Sequence, residues 1–285
     1  MSPMPLKVDH VTIAGSRLGP LEQAFTDVGL KPEYGGPHSN GITHMALLSF
    51  ADGSYVELIS TLEPEQTSPL WQAHIAGDGG PCAWAVGVAP RDVAVEAARL
   101  AALGVPVRGP LYLNRRRPDG VLVEWDLAFL GGGEPGATLP FIIKDRTPRE
   151  WRVPPSTRVA EAELKGVAMV VLGVENLDRA VDLFRSVYDW PAPQMNEDAG
   201  LGARLAHFSG TPVTLAAAAQ KSGWLAERLA RFGESPCAFL LGAADVDAVA
   251  RRFPLAGSGA WFGFRVMWFD PASLKGIRLG LVAEE

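Results

Sequence analysis

An internal repeat constrains the fold of this chain more than any other feature of its sequence. Segment 80–100, GPCAWAVGVAPRDVAVEAARL, and segment 235–253, SPCAFLLGAADVDAVARRF, share Pro-Cys-Ala and a following aromatic residue, about 155 positions apart. Two further pairs match in the same order at about the same offset, 8–25 with 167–184 and 53–60 with 210–217. Several matches in one order indicate a duplication, so we expect two halves of similar architecture.

Each half also reads as two similar units, each a strand, a helix and two or three further strands. In the first unit, strand 8–14 precedes a helix that begins near Pro20. Strands 42–50 and 54–60 follow and are joined through Asp52-Gly53, a strong hairpin signal. The polar, proline-bearing stretch 146–163 predicts a linker. We therefore predict an α+β fold of four βαβββ units, with residues 1–145 and 164–285 as two domains.

Four βαβββ units in two pairs are typical of the vicinal oxygen chelate superfamily, and the chain resembles its glyoxalase-like branch. The segments that carry the resemblance are DHVTIAGSRL (9–18), GITHMALLSFADGSYVELIS (41–60), RRRPDGVLVEWDL (115–127) and LPFIIKD (139–145). The resemblance implies that paired units curl their sheets into half-barrels. It also implies metal ligands on the first and last strands of a unit, which fall here on His10 and Glu57. The implied cofactor is a divalent ion such as Zn, Fe, Mn, Ni or Mg, and the metal-free alternative stays open.

The local pattern supports a shared face for His10 and Glu57 independently. Alternation along strand 8–14 points Val11 and Ile13 one way and leaves His10 on the opposite face. In YVELIS, Glu57 is a carboxylate within an apolar strand, and burying it without a partner costs several kcal/mol. A divalent ion between imidazole and carboxylate would satisfy it. So would hydrogen-bond donors, in which case Glu57 is available as a general base.

Further ligands for a metal are hard to find. The second unit offers Ala85 and the segment FIIK (141–144) at the corresponding positions, and the second half offers Met169 and Thr214. We therefore expect any chemistry in the N-terminal half. A two-residue turn at 52–53 would place Leu48 opposite Glu57. His44 would then share that face, but roughly 13 Å away at about 3.3 Å per residue, so it completes a metal site only if the register differs.

Other residues are candidates for binding a substrate. Arg115 and Arg117 precede the turn Pro118-Asp119-Gly120, where an arginine either reaches an anionic substrate or lies in solvent. The two tryptophans of the second unit, Trp84 and Trp125, either wall an apolar pocket or pack in the core. The loop residue His38 either gates the site or has no role in it.

Composition limits the partners. The net charge is −6 with a pI of about 5.5, which argues against a nucleic-acid partner because phosphate binding needs a basic face. No apolar stretch is long enough to predict a membrane span and no signal peptide is visible. Two cysteines 155 positions apart form no disulfide framework, so we expect a cytoplasmic protein. Its oligomeric state is expected to be a monomer or a homodimer.

Three functions remain. The first is an enzyme that binds a small oxygenated organic molecule, neutral or anionic, in the N-terminal barrel and carries out isomerase, lyase or dioxygenase-type chemistry. The second is a metal-free protein of the same fold that binds or sequesters a small molecule, as resistance proteins do. The third is a catalytically inactive protein of this fold that is kept for its interactions. Metal content and the effect of removing Glu57 separate the first two.

Overall fold

The computed structural model describes residues 6–283, and two eight-stranded sheets form the framework of this part of the chain. The first sheet contains β1 (Lys7–Ala14), β2 (Glu33–Pro37), β3 (Thr43–Ser49), β4 (Tyr55–Thr61), β5 (Gly80–Gly87), β6 (Val107–Arg116), β7 (Leu122–Leu130) and β8 (Phe141–Asp145). The second sheet contains β9 (Leu164–Gly173), β10 (Gln194–Asp198), β11 (Ala203–His207), β12 (Val213–Ala218), β13 (Ser235–Ala243), β14 (Leu255–Trp261), β15 (Phe264–Phe269) and β16 (Arg278–Ala283).

The helices lie between these strands and in the segment that joins the sheets. They are α1 (Leu18–Asp27), α2 (Gln72–Ala76), α3 (Val93–Ala102), α4 (Arg149–Arg152), α5 (Thr157–Glu161), α6 (Leu177–Tyr188), α7 (Trp224–Phe232) and α8 (Val246–Ala250). None of the helices in residues 6–283 combines the length and apolar character that a membrane crossing requires.

The strand order confirms four βαβββ units in two pairs. The first sheet runs β2-β3-β4-β1-β5-β8-β7-β6, and the second repeats this order with β10-β11-β12-β9-β13-β16-β15-β14. In each sheet the first strands of the two units pair antiparallel, as β1 does with β5 and β9 with β13. Each unit's last strand returns parallel to its first strand, as β4 does beside β1. The duplication inferred from the repeat is therefore a duplication of the sheet topology.

Both sheets curl strongly enough for a side chain of one edge strand to reach the opposite edge strand. In the first sheet, Arg115 at the end of β6 donates to the carbonyl oxygen of Gly35 in β2, at 2.9 Å. In the second, the Asn196 amide in β10 donates to the Ala260 carbonyl in β14, at 3.2 Å. Each sheet is thus a half-barrel with a concave and a convex face, as the resemblance implied.

The convex faces pack against helices in one core that both halves share. Phe25 of α1, Leu100 of α3, Phe184 of α6 and Val249 of α8 are buried in this cluster. In β1 and β4, Val11 and Val56 face it together with their alternating neighbours. Because side chains alternate along a strand, the residues between them face the concave side.

Two strands of the first sheet were not predicted from the sequence. β2 has the sequence EYGGP, and β6 includes Gly109-Pro110 and is largely exposed. Glycine and proline weaken a strand pattern, but they are tolerated where a strand lies at the edge of a sheet. Both missed strands are edge strands.

Candidate functional site

The concave face of the first sheet encloses a cavity of about 210 Å³. Its walls are mainly apolar and come from both units, including Ile59 of β4, Leu127 of β7 and Phe141 of β8. The polar side chains that line it lie mostly on the first unit: His10, His38, Ser39, Asn40, Thr43, Tyr55, Glu57, Ser68, Asn114 and Arg152. A concave apolar site with a few polar groups is the usual form of a small-molecule site.

His10 and Glu57 lie together in this cavity. Thr12 of β1 is in register with Glu57 of β4, so the two strands present His10 and Glu57 on the same face. The Nε2 atom of His10 lies 3.9 Å from Oε2 of Glu57. Their exposed fractions are 4% and 5%, which makes both groups nearly inaccessible to bulk water. The Thr12 hydroxyl donates to Oε2 of Glu57, at 3.3 Å.

Asp9 orients the His10 ring. Its Oδ1 atom lies 2.6 Å from Nδ1 of His10, although neighbouring residues of a regular strand point to opposite faces. The register between β1 and β5 shifts between Val8 and His10, and such a bulge re-aims a side chain. Since an ionised Asp9 only accepts hydrogen bonds, Nδ1 carries the proton and Nε2 is the acceptor facing the cavity. Tyr55 stacks on the ring, with centroids 4.6 Å apart.

Two arginines of α4 hold Asp9 in place. Arg149 Nη1 and Arg152 Nη2 lie 2.6 Å and 3.0 Å from Oδ2 of Asp9. They are three residues apart on one helix, so they extend from the same side of it. Burial opposes the charge on Asp9, but the charge of Arg152 and the hydrogen bond and charge of His10 outweigh burial. The pKa of Asp9 is therefore lowered below its ordinary value.

Sequence reasoning missed these arginines because they belong to the polar stretch predicted as a linker. The available signal was the spacing of Arg149 and Arg152, combined with an aspartate next to the predicted catalytic histidine. The guanidinium group of Arg152 is engaged by other residues of the protein. It also binds Asp145, and it donates to the Tyr55 hydroxyl at 3.0 Å.

His38 approaches Glu57 from the loop after β2. Its Nε2 lies 3.1 Å from Oε1 of Glu57, and its Nδ1 lies 2.9 Å from the Thr43 hydroxyl. Burial alone would raise the pKa of Glu57. The hydrogen bond and charge of His38, with the charge of His10, more than offset burial and lower that pKa below its ordinary value. Glu57 is therefore a carboxylate at neutral pH.

The side chains present do not fit the divalent metal site that the resemblance implies. Such sites use about three or four protein ligands. Throughout residues 6–283, no group of three or more His, Cys, Asp or Glu side chains is placed to hold a metal ion. His38 is already bonded to Glu57. On the second unit the neighbouring positions are apolar, since Ala85 pairs with His10 and Phe141 pairs with Ala85.

The register excludes His44 from the site. The β3–β4 turn contains three residues, because the Phe50 amide donates to the Ser54 carbonyl and Ser49 pairs with Tyr55. Leu47, and not Leu48, therefore lies opposite Glu57. This one-residue difference turns His44 to the other face of the sheet, where Nε2 lies 3.0 Å from the Ser60 hydroxyl.

Three of the residues considered for substrate binding have structural roles. Arg115 is buried and bridges the carbonyls of Gly35 and Arg152. Arg117 pairs with Asp119 and with the Trp151 carbonyl. Trp84 is fully buried in the shared core and donates to the carbonyl of Thr138. Trp125 and His38, in contrast, line the cavity.

The equivalent face of the second sheet is filled with side chains. Met169 and Thr214, which take the places of His10 and Glu57 in the repeat, touch each other with Sδ and Oγ1 3.1 Å apart. Leu205, Leu240 and the fully buried Trp261 pack around Met169. The repeat therefore preserves the positions, but the second half has no histidine–glutamate pair at them.

The pKa of Glu57 leads to a prediction about acid stability. A carboxyl whose pKa is lower in the folded state stabilises the fold above its unfolded-state pKa, and this contribution is lost as the pH falls through the folded-state value. We expect the free energy of unfolding of wild type to exceed that of Glu57→Gln at pH 7, and this difference to shrink toward pH 3. Urea titrations at several pH values measure it, with the exposed Glu33→Gln as the charge control. A difference that grows in acid contradicts the assignment.

Comparison with known proteins agrees with the geometry of the fold. A family model described as a glyoxalase-like domain matches residues 8–188. A search of curated proteins gives no match. Among solved structures, the chain is similar to a hypothetical protein from Staphylococcus aureus, at 14% identity over 98% of this chain and 100% of that chain, with a TM-score of 0.62. It is also similar to a triple mutant of 4-hydroxymandelate synthase from Streptomyces coelicolor, at 11% identity over 99% of this chain and 93% of that chain, with a TM-score of 0.58.

At these identities the solved structures show a shared fold alone. The family model covers more than half of the chain and includes the first sheet from Val8 onward. The chain therefore belongs to the glyoxalase-like domain family, within the vicinal oxygen chelate superfamily.

Proposed function

We propose that the cavity of the first half-barrel binds a small, neutral, oxygenated organic molecule and that His10 transfers a proton on it. One observation carries the proposal. A buried imidazole is oriented by Asp9, and its Nε2 atom faces an apolar cavity beside the ionised Glu57. Carboxylate, imidazole and a protected cavity are the elements of general acid–base catalysis.

The charges in the cavity favour a neutral molecule. Arg152 is the cationic side chain among the described residues that line it, and Asp9 and Asp145 already pair with this arginine. The anionic substrate considered from Arg115 and Arg117 loses its support because both guanidinium groups bind elsewhere. Asn114, with Ser39 and Asn40, offers hydrogen-bond donors to a carbonyl or hydroxyl oxygen.

The reaction class that suits this arrangement is proton transfer at a carbon next to a carbonyl group. His10 Nε2 takes the proton, the C–H electron pair moves into an enolate, and the proton returns to the same or a neighbouring carbon. Atoms and electrons balance with no further reagent, and the net result is an isomerisation. Asp9 and Glu57 lie on two sides of the ring, so their negative charges stabilise the imidazolium that forms when the proton is taken.

A binding protein without chemistry is the second candidate. The apolar walls and the poor fit to a metal favour it. In that case Glu57 is a structural acceptor for His38 and Thr12, and the cavity only sequesters its ligand.

Isotope exchange separates the two functions. The protein is incubated in D2O with a panel of small neutral ketones, aldehydes and esters, and proton NMR follows the loss of the C–H signals next to the carbonyl. Calorimetry measures binding of the same compounds, and the metal content of the preparation is determined in parallel. Catalysed exchange supports the proposal. Saturable binding without exchange supports the binding protein and contradicts proton transfer.

A further inference from the structure

A second cavity, of about 270 Å³, lies where the two halves meet. Gly79 and Pro81 of the first half line one side, and α7 with the start of β16 lines the other. It is separate from the concave face that carries His10. We refer to it as the junction cavity, and the side chains that give it its character are Arg228, Arg231, Lys275 and Arg278.

The junction cavity carries an excess of positive charge. Four cationic side chains line it, against the two carboxylates Asp78 and Glu227. Asp78 already accepts hydrogen bonds from the amide and hydroxyl of Ser16. Within the described part of the chain, none of the four cations forms an ion pair with a carboxylate. The cations of the cavity therefore outnumber its carboxylates, which leaves it with a net positive charge.

Arg228 is a buried arginine of this cavity that has no carboxylate partner. Its exposed fraction is 9%, and its guanidinium donates to the carbonyls of Gly79, Pro81 and Pro236 without meeting a carboxylate. Burial disfavours the charge and lowers the pKa of Arg228. A buried charge costs free energy unless an opposite charge or a full set of hydrogen bonds compensates for it.

Two hydrogen-bond donors on arginines that line the junction cavity also lack acceptors. The Nε atoms of Arg228 and Arg278 are buried and have no hydrogen-bond partner among the described residues. Arg278 lies over the Trp224 ring, with its guanidinium carbon 4.4 Å from the ring centre, so stacking holds the group without using its donors. Native proteins rarely leave buried donors unpaired, and each costs about 1–3 kcal/mol.

We propose that the junction cavity binds a small oxyanion, either a carboxylate or a phosphate group. An oxyanion supplies the negative charge that the cations lack, and its oxygens accept hydrogen bonds from guanidinium and ammonium groups. Arginine is the side chain best suited to such a ligand because its planar donors match two oxygens at once. Since the cavity joins both halves, the bound anion also stabilises the contact between them.

Titration calorimetry on the full chain tests the proposal. Inorganic phosphate and acetate are titrated separately at one low ionic strength, with chloride as the balancing anion. We expect saturable binding of one anion per chain. Arg278→Gln should weaken it about tenfold or more, the loss of a hydrogen bond to a charged group. Binding of phosphate alone assigns a phosphate ligand, and binding of acetate alone assigns a carboxylate.

Two further variants keep the test decisive. Lys275→Gln changes an exposed residue of the cavity rim, so it reports even if Arg278→Gln does not fold. Arg204→Gln removes the same charge from an exposed position of β11 outside the cavity and should bind as wild type. The proposal is overturned if neither anion binds saturably, or if the cavity variants bind both anions as tightly as Arg204→Gln does.

Discussion

A His10→Asn variant is expected to exchange the C–H protons of a bound carbonyl compound about 10²–10⁴-fold more slowly than wild type, the usual contribution of a positioned acid–base group. The asparagine amide keeps a polar group beside Asp9 but has no basic nitrogen. Because the cavity walls come mainly from other residues, the dissociation constant of the compound should change little. Exchange by NMR and binding by calorimetry therefore respond differently to this one substitution.

His44→Asn is the matched control for this experiment. The change is chemically the same, in the same sheet, but His44 lies on the opposite face and bonds to Ser60. It should exchange protons at the wild-type rate. Glu57→Gln tests the carboxylate separately, and we expect slower exchange because the imidazolium loses one of its two stabilising charges. If His10→Asn and His44→Asn exchange protons equally fast, His10 is not the base.

The sequence predicted the fold well because the repeat fixes the topology. Alternation in β1 and β4 also predicted that His10 and Glu57 share a face, since this depends only on the period of a strand. The face of the sheet on which His44 lies could not be predicted from the strand period alone. It depended on whether the Asp52-Gly53 turn contains two or three residues, and a one-residue difference in register reverses every side chain of the strand.

The periodicity of the strands could not predict which residues contact and orient His10. Asp9 reaches His10 only because β1 has a bulge, and a regular strand pattern predicts that the two side chains diverge. Arg149 and Arg152 are 140 and 143 residues from Asp9 in sequence, within a stretch whose composition suggests a loop. Arg115 was misleading for the opposite reason. Its charge suggested a ligand, whereas the curling of the sheet engages it with Gly35.

The substitution with the largest expected effect on stability is Arg152→Met. Arg152 is buried with Asp9, and Asp145 lies beside them partly buried. Methionine fills much of the same space but removes the charge, so the buried carboxylate of Asp9 keeps only Arg149 and His10 as partners. Breaking a buried ion pair in this way typically costs about 3–5 kcal/mol. Urea unfolding at pH 7 measures the loss. Arg146→Met, which removes an exposed arginine paired with Asp126, should stay close to wild type.

A double mutant identifies the cause of the stability loss in Arg152→Met. If the cost arises from the uncompensated charge of Asp9, then adding Asp9→Asn to Arg152→Met should recover part of it, because a neutral amide is cheaper to bury than a carboxylate. The acid dependence gives a second check. Arg152 helps to lower the pKa of Asp9, so its stabilising effect is present above the unfolded-state pKa and is lost as Asp9 is protonated. The gap between wild type and Arg152→Met should therefore narrow as the pH falls toward 3. If the difference in free energy of unfolding stays constant with pH, the loss comes from packing. The burial of Asp9 would then need a different explanation.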